Sequence, residues 1–87
     1  MKEYVRKLTP TEAERYYITI TKDARDMFPS PSTKIRLYHK GKPFELKIDK
    51  HYRLWIGKLR PYFLMEEGDT ITISKEAPPR TYSVSKR

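Results

Sequence analysis

The chain has no cysteine, no asparagine and no glutamine in its 87 residues. Without cysteine it forms no disulfide and offers no thiolate to a metal. Absence of the heat-labile amides, together with many Lys, Arg and Glu residues, is a compositional habit of thermophile proteins. No apolar run reaches even signal-peptide length, and the Met1-Lys2-Glu3 start has no hydrophobic segment behind it, so a cytoplasmic location is expected. Catalytic patterns are missing too. There is no Ser-His-Asp set, no Gly-rich phosphate loop and no pair of acid/base carboxylates, and two histidines without clustered carboxylates do not make a metal site.

What is present is charge of one sign and aromatic side chains. Nineteen Lys and Arg against eleven Asp and Glu give a formal charge of +8, while 37% hydrophobic residues and 13% aromatics still describe a folded chain. Its length allows one modest core, so residues 1–87 are read as a single domain. Seven short segments alternate apolar and polar side chains, and two of them lead into a short amphipathic helical turn. The expected class is mainly β with two short helices, a small seven-stranded open β-barrel whose basic surface suits a polyanion.

Along the chain, Tyr4 to Leu8 reads as a strand ended by a Thr9-Pro10-Thr11 turn, and Glu12 to Arg15 as a loop or one loose turn. Tyr16 to Thr21 alternates, with Tyr16, Ile18 and Ile20 on one face. Thr21 can cap a helix in which Ala24, Met27 and Phe28 form the apolar stripe, stopped by Pro29. Lys34 to His39 and Pro43 to Asp49 flank Lys40-Gly41-Lys42 as a hairpin. Tyr52 to Ile56 is a further strand, and Gly57 opens a helix with Leu59, Tyr62 and Phe63 on one side and Pro61 in its first turn. Gly68-Asp69 closes that helix and leads into Thr70 to Ile73. After a Pro78-Pro79 break, Thr81 to Val84 is expected at a sheet edge, with residues 85–87 frayed.

This order resembles the DNA-binding pseudobarrel. The carrying features are Lys7-Leu8-Thr9, an Ile-Thr-Ile strand, a helix ending in Phe28-Pro29, a Gly-centred hairpin, a Gly57 helix ending in an aromatic, and Met65-Glu66-Glu67-Gly68-Asp69 before an apolar strand. Together they run from about Lys7 to Ile73. That family includes the DNA-binding domains of plant auxin-response and abscisic-acid-response transcription factors and the effector or recognition modules of some restriction endonucleases. The resemblance implies a regulator or recognition module with two arms that clasp the major groove of double-stranded DNA. Carried onto this chain, the arms are Thr9 to Tyr17 and Asp49 to Arg53, with Lys47 and Lys50 beside the second. The tryptophan that usually precedes the aromatic near Phe63 is absent, as is any arm asparagine, which favours a prokaryotic relative.

The chemistry of the arm residues points to the same surface. Arg15 and Arg53 suit bidentate contact with guanine, Lys50 suits phosphate or guanine, and Thr11 and Glu12 suit adaptable or cytosine-directed contacts. His51 can donate to phosphate. With neither Asn nor Gln, the common bidentate adenine contact is unavailable, so specificity should lean on guanine, thymine methyls or DNA shape. The expected site is therefore Thr9, Thr11, Glu12, Arg15, Tyr17, Lys47, Asp49, Lys50, His51 and Arg53. Against this, a surface Lys or Arg is ordinarily a solvated ion-pair partner. Spacing assigns Tyr16, Phe28, Trp55 and Phe63 to the core and leaves Tyr17, Tyr52 and Tyr62 open.

Glu45-Leu46-Lys47 with Asp26 upstream imitates the carboxylate and lysine pattern of metal-dependent nucleases, but strand alternation in a Lys/Glu-rich chain yields the same pattern. The chain is read as a non-enzymatic binder of duplex DNA, with no cofactor, membrane or small-molecule substrate, and with a monomer favoured. Two other classes remain: a basic β-barrel for RNA or single strands, which needs aromatics exposed together on a sheet face, and a dimeric swapped-hairpin regulator of the antitoxin type.

Overall fold

Pleating sends alternate side chains to opposite faces, and the apolar positions of the paired strands follow that rule: Ile35 and Leu37, Ile71 and Ile73, and Tyr82 and Val84 are all buried. The computed structural model describes residues 3–76 and 80–86. The strands are β1 (Glu3–Lys7), β2 (Tyr17–Thr19), β3 (Lys34–His39), β4 (Lys42–Lys47), β5 (Arg53–Trp55), β6 (Thr70–Lys75) and β7 (Thr81–Lys86). One α-helix, α1 (Pro10–Arg15), lies between β1 and β2, and 3₁₀ turns occupy Lys22–Met27 and Gly57–Leu59.

The strands form a five-stranded sheet in the order β1-β6-β7-β3-β4 and a two-stranded ribbon of β2 and β5. Among the described residues only the β3–β7 pairing is parallel. The sheets are joined at several points among the described residues. Ile48, just past β4, bridges to Leu54 in β5. On the other side, the Tyr4 hydroxyl donates to the Thr19 carbonyl at 2.6 Å and accepts from the Thr21 amide at 3.3 Å. Among the described residues no closed ring of paired strands is formed. The fold is mainly β with short helices, and its seven strands stand in mixed sheets.

The core lies between these sheets, with Ile18, Ile20, Leu37, Ile48, Leu54 and Ile73 fully buried. Each such side chain contributes roughly 1.5–3 kcal/mol through removal from water. Phe28 stacks on Tyr82 with centroids 5.0 Å apart and meets Tyr4 edge-on, and the Tyr82 hydroxyl donates to the Met27 carbonyl at 2.7 Å. The stripe of Ala24, Met27 and Phe28 is buried as its spacing requires, although Lys22–Met27 is a 3₁₀ turn and the Thr21 side chain makes no capping bond.

Several local expectations are corrected. Residues 10–15 are a helix rather than a loop, because Thr9 and Glu12 form a capping box with Pro10 at the first turn. The Gly57 turn is 3₁₀ and ends at Leu59, so Pro61 lies beyond it; Leu59 and Phe63 are buried while Tyr62 is exposed. Gly68 instead takes a left-handed conformation, φ +86°, in the turn before β6. β7 is an interior strand, held between β6 and β3, and Ser85 and Lys86 pair with Thr72 and Ile71 rather than fraying. The proline pair and Arg87 lie outside the described residues. Trp55 is also exposed, because Leu54 takes the inward position on β5 and turns both its neighbours out.

Candidate nucleic-acid interface

The two short elements expected as arms are both built around a carboxylate. In the first, the Thr9 hydroxyl accepts from the Glu12 amide at 3.2 Å, and Glu12 in return accepts from the Thr9 amide at 3.0 Å. The same carboxylate accepts from Arg6 Nε and Nη2 at 3.2 and 3.1 Å and from the Thr19 amide at 2.7 Å. Burial alone would push the Glu12 carboxyl up, but the bonds from Arg6, Thr19 and Thr9 outweigh it and hold the group below its ordinary value. Glu12 thereby ties β1, α1 and β2 together. It is 1% exposed and fully engaged, so it is not available to a base edge, and that expectation is corrected. Tyr16 ends the helix in a left-handed conformation, φ 57°, which reverses the chain into β2.

The second arm is a tight hairpin tip. The Asp49 amide donates to the Arg53 carbonyl and the Tyr52 amide to the Asp49 carbonyl, both at 3.0 Å, with Tyr52 at φ 58°. Asp49 organises everything around it. Its Oδ1 accepts from the His51 and Arg53 amides at 2.8 and 3.0 Å, and its Oδ2 accepts from Arg53 Nε at 2.9 Å and Trp55 Nε1 at 2.8 Å. Partial burial works to raise this carboxyl, yet the four donors prevail and hold it at about 2.

Pairing of β2 with β5 brings the arms together. Tyr17 lies opposite Trp55 and Thr19 opposite Arg53, so the outward faces of the two strands form one patch. The Tyr17 and Trp55 rings are 4.9 Å apart at a 49° tilt, and the Arg53 guanidinium sits 5.6 and 5.4 Å from their centroids. Two more arginines cover arm tyrosines: Arg25 lies 3.9 Å from the Tyr52 centroid and Arg60 lies 4.4 Å from that of Tyr16. Beyond the Ile48–Leu54 bridge, a cavity of about 420 Å³ opens, lined by Leu46, Trp55 and Gly57 together with Lys34, Lys47 and Lys58 and the acidic residues Glu45 and Asp49.

Of the sequence-derived site, Tyr17, Asp49 and Arg53 are drawn into one cluster, and Lys47 and Asp49 both line the adjoining cavity. Lys50 and His51 are exposed at the hairpin tip, and Thr11 and Arg15 are exposed on α1. Thr9 serves as a helix cap. Trp55, Arg25 and Arg60 were missed. For Trp55 a signal existed: Leu54 is the apolar centre of Arg-Leu-Trp, and period-two alternation puts its neighbours outside. No comparable signal places Arg25 or Arg60, whose contacts depend on tertiary packing. In the nuclease-like motif, Glu45 is paired with Lys34 at 3.4 Å, and its carbonyl accepts from Lys58 Nζ at 3.0 Å. Among the described residues no three His, Cys, Asp or Glu side chains gather to hold a metal, and no helix is long and apolar enough to cross a membrane.

No family model matches the sequence, and no curated protein matches it significantly. Among solved structures, the N-terminal domain of Helicobacter pylori LlaJI.R1 is similar in fold, with a TM-score of 0.72 over 99% of this chain and 87% of that one. The two are 13% identical in sequence.

Proposed function

We propose that this chain is a non-enzymatic domain that binds double-stranded DNA, presenting α1 with its flanks and the 49–53 hairpin as two arms to the major groove. The single observation that carries the reading is the β2–β5 patch, where residues from both arms converge on an aromatic surface that holds the Arg53 guanidinium. A duplex offers dense phosphate charge and, in its major groove, base edges that planar donors can read. The chain's +8 charge supplies the first attraction, and the ordered arm supplies a candidate for the second. The fold shared with the LlaJI.R1 domain agrees with a recognition module of the pseudobarrel kind. In this reading the two sheets are the walls of an open pseudobarrel, joined at Ile48–Leu54 and at Tyr4–Thr19.

The exposed Trp55 beside the half-buried Tyr17 favours a second reading, the stacking of unpaired bases in RNA or single-stranded DNA. A gel-shift comparison of duplex DNA, single-stranded DNA and RNA of equal length separates the two. Tightest binding to duplex is the expected result, and preference for either single strand replaces the first reading with the second. An obligate swapped dimer is disfavoured by a core that one chain completes by itself. A monomer in sedimentation equilibrium removes that class.

A further inference from the structure

Arg15 and Arg53 are chemically equivalent in the sequence, but the fold treats them differently. Arg15 is exposed at the end of α1, and its side chain makes no hydrogen bond or ion pair among the described residues. Arg53 is about one-third exposed and is held at three points: its Nε donates to Asp49, its guanidinium carbon lies 5.6 and 5.4 Å from the Tyr17 and Trp55 ring centroids, and its backbone amide donates to the other Asp49 oxygen. We infer that Asp49, Trp55 and Tyr17 position Arg53 as the base-specifying residue of the domain, with guanine of a G·C pair as its ligand. This inference rests on the duplex-binding reading above.

The argument is one of donor geometry. A guanidinium has five N–H donors in a rigid plane, and a carboxylate that engages Nε leaves the Nη1/Nη2 edge open. Those two nitrogens have no hydrogen-bond partner among the described residues, and their spacing matches the O6 and N7 acceptors of guanine in the major groove. A free arginine must give up rotamer freedom to make that contact, whereas Arg53 has lost it already on folding. Trp55 has a part that its exposure alone does not explain. Its indole N–H occupies the same Asp49 oxygen as Arg53 Nε, so it fixes the carboxylate rather than contacting a base through that donor. Asp49 is therefore a positioning residue and not itself a base contact. An uncommitted carboxylate in the groove would repel phosphate; this one is neutralised locally by Arg53 and satisfied by four donors.

The test starts from random-duplex selection with the unmodified chain, followed by competition binding at fixed salt. The expected result is a site with one strongly required G·C pair, at which replacing guanine weakens binding roughly ten- to a hundredfold. Arg53→Lys, which keeps the charge but not the planar fork, loses discrimination at that pair. Asp49→Asn reduces the same discrimination while leaving preferences at other positions intact, and it shifts the Arg53 Nε–H resonance in ¹⁵N NMR spectra of the free protein. Melting of each variant checks that it folds. Should Asp49→Asn prove unstable, Trp55→Phe removes the indole donor while keeping an aromatic ring beside Arg53 and is expected to lower the same preference. A selected site without a required guanine, or discrimination unchanged in Arg53→Lys, overturns the inference while leaving duplex binding in place. Failure of the unmodified chain to bind any duplex overturns both.

Discussion

Two carboxylates, Glu12 and Asp49, each satisfy several donors at the base of an arm, and they set how the molecule responds to acid. Both have folded-state values below their ordinary ones, so each contributes stability that is present above the ordinary value and is lost as pH falls through the folded one. Stability should therefore be nearly level from neutral pH down to about 4.5 and decline below it, the Asp49 share going between pH 3.8 and about 2. Urea unfolding at a series of pH values checks this, and Asp49→Asn should flatten the lowest part of the curve. Glu12 is the more costly residue to lose. Removing one member of a buried pair costs roughly 3–5 kcal/mol, and because Arg6 is 24% exposed and regains some hydration, Glu12→Ala belongs at the low end, about 3 kcal/mol. The loss should appear in the melting curve. A variant that melts normally but binds DNA poorly would restore Glu12 to the contact surface.

Elements were legible in the sequence where period and local chemistry agreed. Tyr16, Ile18 and Ile20 are all buried as their alternation predicts, although the strand is only Tyr17–Thr19 and Tyr16 is the left-handed cap of α1, and the Lys40-Gly41 turn joins the hairpin as expected, both residues taking positive φ. Helix α1 is legible too, since Thr9-Pro10-Thr11-Glu12 has the spacing of a capping box, but a Thr-Pro-Thr sequence suits a turn as readily as a first helical position. The parallel pairing of β7 with β3 was not legible, because nothing local distinguishes a Thr-Tyr-Ser-Val strand at an edge from one in the middle of a sheet. At the site, the arms were placed by resemblance and the residues by charge. Alternation could have shown Trp55 to be exposed, whereas the role of Asp49 depends on four donors that meet only in the folded chain. Two substitutions measure these elements. Phe63 is 3% exposed and meets His39 edge-on at 4.8 Å, so Phe63→Ala should cost roughly 3–5 kcal/mol in denaturant unfolding. Thr9→Ala removes only the cap and should cost about 1 kcal/mol.

For the whole molecule, a +8 charge predicts weak attachment to any duplex, so affinity alone would not identify the face proposed for DNA. A sequence-independent Kd on the order of 10⁻⁴ to 10⁻⁶ M near physiological salt is expected, falling steeply in strength as salt rises because bound cations are released. Location is read from how single charges alter that behaviour. Arg15→Ala and Lys50→Ala remove exposed cations from the two arms, and each should weaken binding to all sequences and lower the salt slope by about one. Arg53→Ala should cost about 1–3 kcal/mol at a selected site and relax discrimination at one base pair. Lys86 lies on β7, away in sequence from both arms, and is engaged with Asp69 at 3.4 Å, so Lys86→Ala should weaken every duplex only slightly. The measurement is a salt titration of all four variants on a selected and an unrelated duplex. Equal losses from arm and β7 substitutions would spread the contact evenly over a basic surface, and the proposed two-arm grip on duplex DNA would be lost.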